Sequence, residues 1–183
     1  ADCEGAEGYT DYEEMLADAR LDAVTVALPP FLHEPATVAA LEAGKHVLCE
    51  KPMARNAQEA RHMVVTARAT GSRLMVHYRR RYALETRHAT KLVTEGALGR
   101  VYFVRAISHR FRGRPALDTP LGNWFKSKEL SGGGEVADLG GYPLDLILGI
   151  LGFPEVASAY AATYQEIELE RQRQLECDVE EFG

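Results

Sequence analysis

A doubly wound parallel α/β sheet, followed by a second domain of α+β type on a mostly antiparallel open sheet, is the fold this 183-residue chain predicts. Two observations carry the prediction. Residues 11–77 alternate helix and strand patterns with short connections, the signature of parallel strands joined by right-handed crossovers. Past residue 83 the pattern changes to one long helix, two long alternating segments and an apolar helix between them. The composition, 46% hydrophobic and 26% charged, is that of a globular protein and excludes disorder, collagen and coiled coil.

In DYEEMLADAR (11–20), Tyr12, Met15, Leu16 and Ala19 fall at helical spacing after Thr10, a suitable N-cap. DAVTVALPP (22–30) is a short buried strand stopped by two prolines. EPATVAALEA (34–43) is a helix with Pro35 in its first turn and Gly44 just past its end. KHVLCE (45–50) is a second buried strand, ended by Pro52. Asn56 and Glu59 form a capping box for a helix that runs to Thr70 and stops at Gly71. RLMVH (73–77) is a third strand. Ligands of such sheets bind beyond the carboxyl ends of the strands, here the loops 28–33, 50–53 and 77–82. A helix over 83–95, ended by Gly96, opens the second part. VYFVRAISHR (101–110) and EVASAYAATY (155–164) alternate like half-buried strands, and 165–183 reads as a turn or edge strand. The domain boundary is placed at residues 80/81, giving domains 1–80 and 81–183.

The formal net charge of −6 hides a segregation: residues 1–50 sum to −9, residues 51–114 to +12. A basic middle either attracts phosphates or forms the solvated faces of two helices. No basic run is interleaved with aromatics as in a nucleic-acid module, so nucleic acid is not an expected partner. No apolar run approaches the roughly 20 residues of a membrane helix. Cys3, Cys49 and Cys177 are odd in number and widely spaced, which fits a reducing, cytoplasmic setting and no metal site. Cys49, within HVLCE, reads as a small buried hydrophobe.

The sequence has no G-x-G-x-x-G. Gly132, Gly133 and Gly134 either pack closely at a helix start or touch a ligand directly. Asp138, Tyr142 and Asp145 stand at i, i+4, i+7 and share a helix face. They either cap the first turn, where an acid suits the helix dipole, or do chemistry. Pro143 kinks this helix or delays its start. Lys51, directly after a buried strand, is either an exposed loop lysine or a donor to a ligand oxygen.

At this point AGKHVLCEKPMA (43–54) strongly resembles a signature of the glucose–fructose oxidoreductase/inositol dehydrogenase (Gfo/Idh/MocA) family, and DAVTVALPPFLHEPATVAALEAGKHV (22–47) resembles the approach to it. SGGGEVADLGGYPLDLILGILG (131–152) resembles the family's catalytic helix, and WFKSKELSGGG, with Trp124, its lead-in. The resemblance implies part of a Rossmann domain, part of a large-sheet domain and an NAD or NADP cofactor. It also implies hydride transfer at a hydroxyl-bearing carbon of a sugar, cyclitol or related diol. The resemblance further implies an internal fragment of a longer enzyme, a homo-oligomer (dimer or tetramer) when complete, with the glycine-rich turn ahead of residue 1 and the rest of the sheet after residue 183. On that reading the isolated chain is inactive and binds nicotinamide nucleotides weakly.

Carried over by position, Lys51 binds the reacting hydroxyl near the nicotinamide ribose. Asp138 holds substrate hydroxyls, and Tyr142 is the acid/base where many members have His. A phenol ordinarily titrates near pH ~10, so a neighbouring cation is needed, and Lys51 is the candidate. Pro29, Pro30, His33 and Glu50 line the cofactor, His33 having helix capping as its alternative. Trp124 is a substrate contact, and Arg81 matches a family arginine of structural role. Two other functions stay open: glycoside cleavage or sugar–sugar exchange with the nicotinamide retained, and a sugar- or nucleotide-sensing regulator without turnover.

Overall fold

The computed structural model describes residues 5–109, 124, 127–134 and 136–164. The readings that fall on the loop 111–123 and on 165–183 lie outside the described residues. The chain divides into two compact units, Ala1–Phe153 and Pro154–Gly183.

The first unit is built on three parallel strands in the order β1 (Ala23–Val26), β2 (His46–Glu50), β3 (Leu74–His77). Two helices make the crossovers, α2 (Pro30–Glu42) and α3 (Ala57–Thr70). The predicted alternation is therefore present, with boundaries displaced by a few residues. The short helix α1 (Tyr12–Leu16) is capped by Asp11, whose carboxylate accepts from the Glu13 N–H, instead of by Thr10. Helix α2 begins four residues earlier than the sequence pattern predicts, because Pro30 stands at a first-turn position where its missing N–H costs nothing. Pro35 thereby falls inside the helix. Helix α3 has the predicted N-cap, Asn56 accepting from the N–H groups of Gln58 and Glu59, while the Glu59 carboxylate reaches back to the Asn56 side-chain amide and the Arg55 N–H. Its end at Gly71 has φ +69°, left-handed backbone that favours glycine.

Helices α2 and α3 pack on one another and on the sheet. Their shared core is Val26 of β1, Val47 and Cys49 of β2, Ala36, Ala40 and Leu41 of α2, and Met63 and Ala67 of α3. Both crossovers cover the same face, so this is one half of a doubly wound arrangement. Alternate β2 residues His46, Leu48 and Glu50 look the other way, as the two-residue period requires.

After β3 come a 3₁₀ turn (Arg79–Tyr82) and helix α4 (Leu84–Thr94). A short helix, α5 (Lys128–Ser131), precedes a π-wound turn (Val136–Gly140) that runs into α6 (Gly141–Ile150). The expected delay around Pro143 is thus a change of winding: the segment is π up to Gly140 and α beyond it. Helix α6 packs against α4 and the 3₁₀ turn.

The two alternating segments differ from expectation. Residues 101–109 have no regular secondary structure, and Tyr102 is 88% exposed. In the second unit, residues 154–164 are likewise irregular and exposed. Alternation prepares a chain for a sheet, but a strand exists only when its N–H and C=O groups find a ladder. Among the described residues none pairs with either segment.

Candidate functional site

The register places the last residues of β2 and β3, Glu50 and His77, side by side at the carboxyl edge of the sheet. His77 Nδ1 donates to Glu50 Oε1 at 2.6 Å, and the Lys51 N–H lies 3.3 Å from Glu50 Oε2. Burial pushes the Glu50 carboxyl up. The hydrogen bond and charge of His77, with the N–H and charge of Lys51, outweigh that and hold it below the usual glutamate range. The Glu50–His77 pair has no motif spacing. It becomes visible only once both residues are known to end adjacent strands.

Lys51 opens the next loop, across a cis bond to Pro52. Its Nζ donates to Asp138 Oδ1 at 2.5 Å and to the Asp138 main-chain carbonyl at 3.1 Å, a contact across 87 residues of sequence. The same Nζ lies 5.0 Å from the centroid of the Tyr142 ring. The Arg80 guanidinium lies 5.4 Å from that centroid, and Tyr78 meets the ring edge-on at 6.0 Å. Lys51, Asp138 and Tyr142, named from two separate sequence motifs, therefore form one cluster.

Tyr78 and Arg80 were not singled out by sequence reasoning. The signal for Tyr78 is Gly141: a Cβ there would lie 2.9 Å from the Tyr78 hydroxyl, so the glycine makes room for that ring. Burial raises the Tyr78 pKa, the charges of Asp145 and Tyr142 add to it, and Arg81 opposes it. The triple glycine also has a packing reason. Gly132 has φ +82°, and a Cβ there would stand 2.5 Å from the Arg55 Cα, inside the backbone that follows Lys51. Arg55 in turn donates to the Glu129 carbonyl at 3.0 Å. These contacts bring the segment carrying Asp138 against the loop carrying Lys51.

Pro29 caps α2 and Pro30 is its first residue. His33 departs from the expectation of a cofactor-lining residue. It lies within α2 at 1% exposure, with Nε2 2.6 Å from the Leu28 carbonyl and Nδ1 2.7 Å from the Pro52 carbonyl. The ring braces two loops from beneath, and helix capping is not its role. Trp124 lies ahead of α5, where its carbonyl accepts from the Ser127 N–H. Arg81 forms an ion pair with Asp145, whose side chain is 8% exposed, and lies 5.0 Å from the Phe153 ring centroid. Asp145 thus points to a structural pair and separates from Asp138 and Tyr142. A cleft of about 430 Å³ between α4 and α6 is lined by Arg81, Thr86, Arg87, Leu146 and Phe153, and by none of the candidate residues.

The resemblance implies a nicotinamide dinucleotide, and the edge fits its nicotinamide–ribose end. It offers a half-exposed carboxylate at Glu50 as acceptor for ribose hydroxyls and an ammonium at Lys51, at the carboxyl ends of parallel strands. The pyrophosphate end of such a cofactor is gripped by a glycine-rich turn at a helix N-terminus, for which these residues offer no counterpart.

Known proteins share this sequence and fold. Residues 1–78 match the family described as "Oxidoreductase family, NAD-binding Rossmann fold", and residues 86–180 match the "GFO/IDH/MocA C-terminal domain". The chain is 40% identical over 159 residues to D-glucoside 3-dehydrogenase of Escherichia coli, covering 87% of this chain and 44% of that protein. It is 31% identical over 161 residues to an NADP(+)-dependent scyllo-inositol 2-dehydrogenase of Bacillus subtilis, covering 88% and 43%. Among solved structures, an NAD binding oxidoreductase from Klebsiella pneumoniae superposes with a TM-score of 0.67 at 33% identity, covering 79% of this chain and 38% of that one. The chain thus spans less than half the length of these relatives.

Proposed function

This chain belongs to the Gfo/Idh/MocA oxidoreductase family, and from that membership and the site we propose that it is part of an NAD(P)-dependent dehydrogenase or reductase. Its substrate would be a hydroxyl-bearing carbon of a sugar, cyclitol or related diol. The observation that carries the reading is the cluster of Lys51, Asp138 and Tyr142, with Lys51 Nζ 2.5 Å from Asp138 and 5.0 Å from the Tyr142 ring centroid. An ammonium, a carboxylate and a phenol held together at the carboxyl edge of a parallel sheet suit the handling of an alcohol. Residues 1–80 would then be nucleotide-binding and 81–183 part of a substrate domain, in a cytoplasmic homo-oligomer.

Nicotinamide, when bound, supplies the capacity to take or give a hydride. Glu50, Lys51, Pro29 and Pro30 would hold its ribose end. Lys51 has three N–H donors. Two go to Asp138, so the third is directed at the reacting hydroxyl. Asp138 keeps Oδ2 as acceptor for a neighbouring substrate hydroxyl, which orients the carbon to be attacked. Tyr142 takes the hydroxyl proton in the oxidative direction and returns it in the reductive one. The Lys51 ammonium, 5.0 Å from the centroid of its ring, keeps this phenol beside the same hydroxyl.

The test uses the full-length protein with NAD+ or NADP+ and a panel of methyl D-glucoside, D-glucose, D-xylose, myo-inositol and scyllo-inositol, read by the absorbance of reduced nicotinamide. Turnover of at least one panel member is expected. Tight nicotinamide binding with no oxidation of any, in either direction, would replace this reading with a sensing role. Nicotinamide that stays bound through purification and through turnover would point instead to sugar–sugar exchange.

A further inference from the structure

Asp138 holds Lys51 at two points, and the second of them is unusual. A main-chain carbonyl inside a helix is ordinarily taken by the N–H four residues on, or five residues on where the winding is π. Asp138 lies inside the π-wound turn Val136–Gly140. The residue five positions on is Pro143, which has no N–H to give. In the register of this turn the Asp138 carbonyl therefore receives no N–H from the residue five positions on, and Lys51 Nζ stands 3.1 Å from it. Pro143 is also the third residue of α6, where an N–H would have no α-helical partner within that helix. The proline thus removes a donor at a place where the helix itself does not need one.

We propose that Pro143 is a positioning residue for Lys51: by offering no competing N–H to the Asp138 carbonyl, it lets one ammonium bind both the side chain and the backbone of Asp138. A carboxylate alone moves with its own χ angles. A main-chain carbonyl is fixed by the helix, and with both acceptors engaged the remaining N–H has a single direction. The inference rests on Lys51 being the donor to the reacting hydroxyl, as argued above.

Pro143→Ala tests it in the full-length protein. The new N–H either takes the Asp138 carbonyl or goes to another acceptor. The expected result is a crystal structure with Lys51 Nζ moved beyond hydrogen-bond distance of that carbonyl. Turnover of the best panel substrate should show kcat down about tenfold, KM changed less than about twofold and a melting temperature within a few degrees of wild type. Added to Lys51→Ala, Pro143→Ala should have no further effect on kcat. Pro143→Gly introduces the same N–H and should behave alike, should Pro143→Ala fold poorly. A retained 3.1 Å contact, an unchanged kcat, or an equal loss in the Lys51→Ala background would each overturn the proposal. If Lys51→Ala alone leaves kcat near normal, the reading of Lys51 fails instead, and the Nζ–carbonyl distance in the variant still decides what Pro143 does.

Discussion

Two ion pairs tie the loops after the sheet to the segment around α6, seven residues apart on it, and they are finished differently. Arg81 meets Asp145 where the carboxylate is 8% exposed, and its guanidinium is backed by the Phe153 ring. Lys51 meets Asp138 where the side chains are 17% and 31% exposed, beside a phenol. Among the described residues, the third Lys51 N–H has no acceptor. The chemistry of attraction is the same in both. In the proposed function, what separates a brace from a reactive centre is an unspent donor, solvent access and a neighbouring phenol, so charge pairing alone does not mark a site.

The comparison breaks most visibly if activity does not follow the Lys51 side. Lys51→Ala and Tyr142→Phe in the full-length protein should each lower kcat at least ~100-fold, a barrier increase of about 2.7 kcal/mol. Urea unfolding of both should stay near wild type, because Asp138 retains access to water. Near-normal turnover in either variant removes that residue from the chemistry.

Asp145→Ala should give the inverse pattern. Removing a buried carboxylate from its arginine costs about 2–4 kcal/mol of stability, at the lower end because Arg81 itself reaches solvent. Over the same denaturation curve kcat should change less than about threefold. A variant of normal stability and lost activity would move Asp145 to the reactive side.

The smallest effect sharpens the comparison from the sheet edge. The folded-state pKa of Glu50 is depressed, so its contribution to stability is fully present above the unfolded glutamate pKa. It is lost as pH falls through the lower folded value. Wild type should therefore lose stability below about pH 4.5 more steeply than Glu50→Gln, by less than about 1 kcal/mol because the pair reaches solvent. Parallel acid limbs for the two proteins would show that His77 and Lys51 give Glu50 no net stabilisation.

The sequence made much of this legible where local rules and tertiary packing agree. The strands at 23–26 and 46–50 are apolar runs closed by proline, the strand at 74–77 follows Gly71, and Asn56 and Gly71 sit where caps belong. Asp138 and Tyr142 stood out by their helical spacing, Lys51 by its place after a buried strand, and all three by the family resemblance of the segments that carry them. Less was legible where partners are distant in sequence. Glu50 needs the register of β3 to find His77. His33 looks like a loop histidine until α2 is extended back to Pro30, which buries its ring between two carbonyls. The π winding before Pro143 shifts the helical pattern by one residue, but in VADLG, at the start of the helix, there is no apolar stripe ahead of it against which the shift could be read. Segments 101–109 and 154–164 carry strand-like alternation without a ladder among the described residues, and alternation records only which side of a strand would be buried.

The Cys49 thiol, completely buried beneath α2 and α3, has a practical consequence. Burial pushes its pKa up to about 11, the nearby Glu50 charge adding to this, so near neutral pH it carries its proton and reacts poorly even when a reagent arrives. An alkylating reagent reaches it only through molecules whose sheet and helices have parted. The labelling rate at this one sulfur, followed by mass spectrometry, is thus a built-in clock for how often the nucleotide-side core opens.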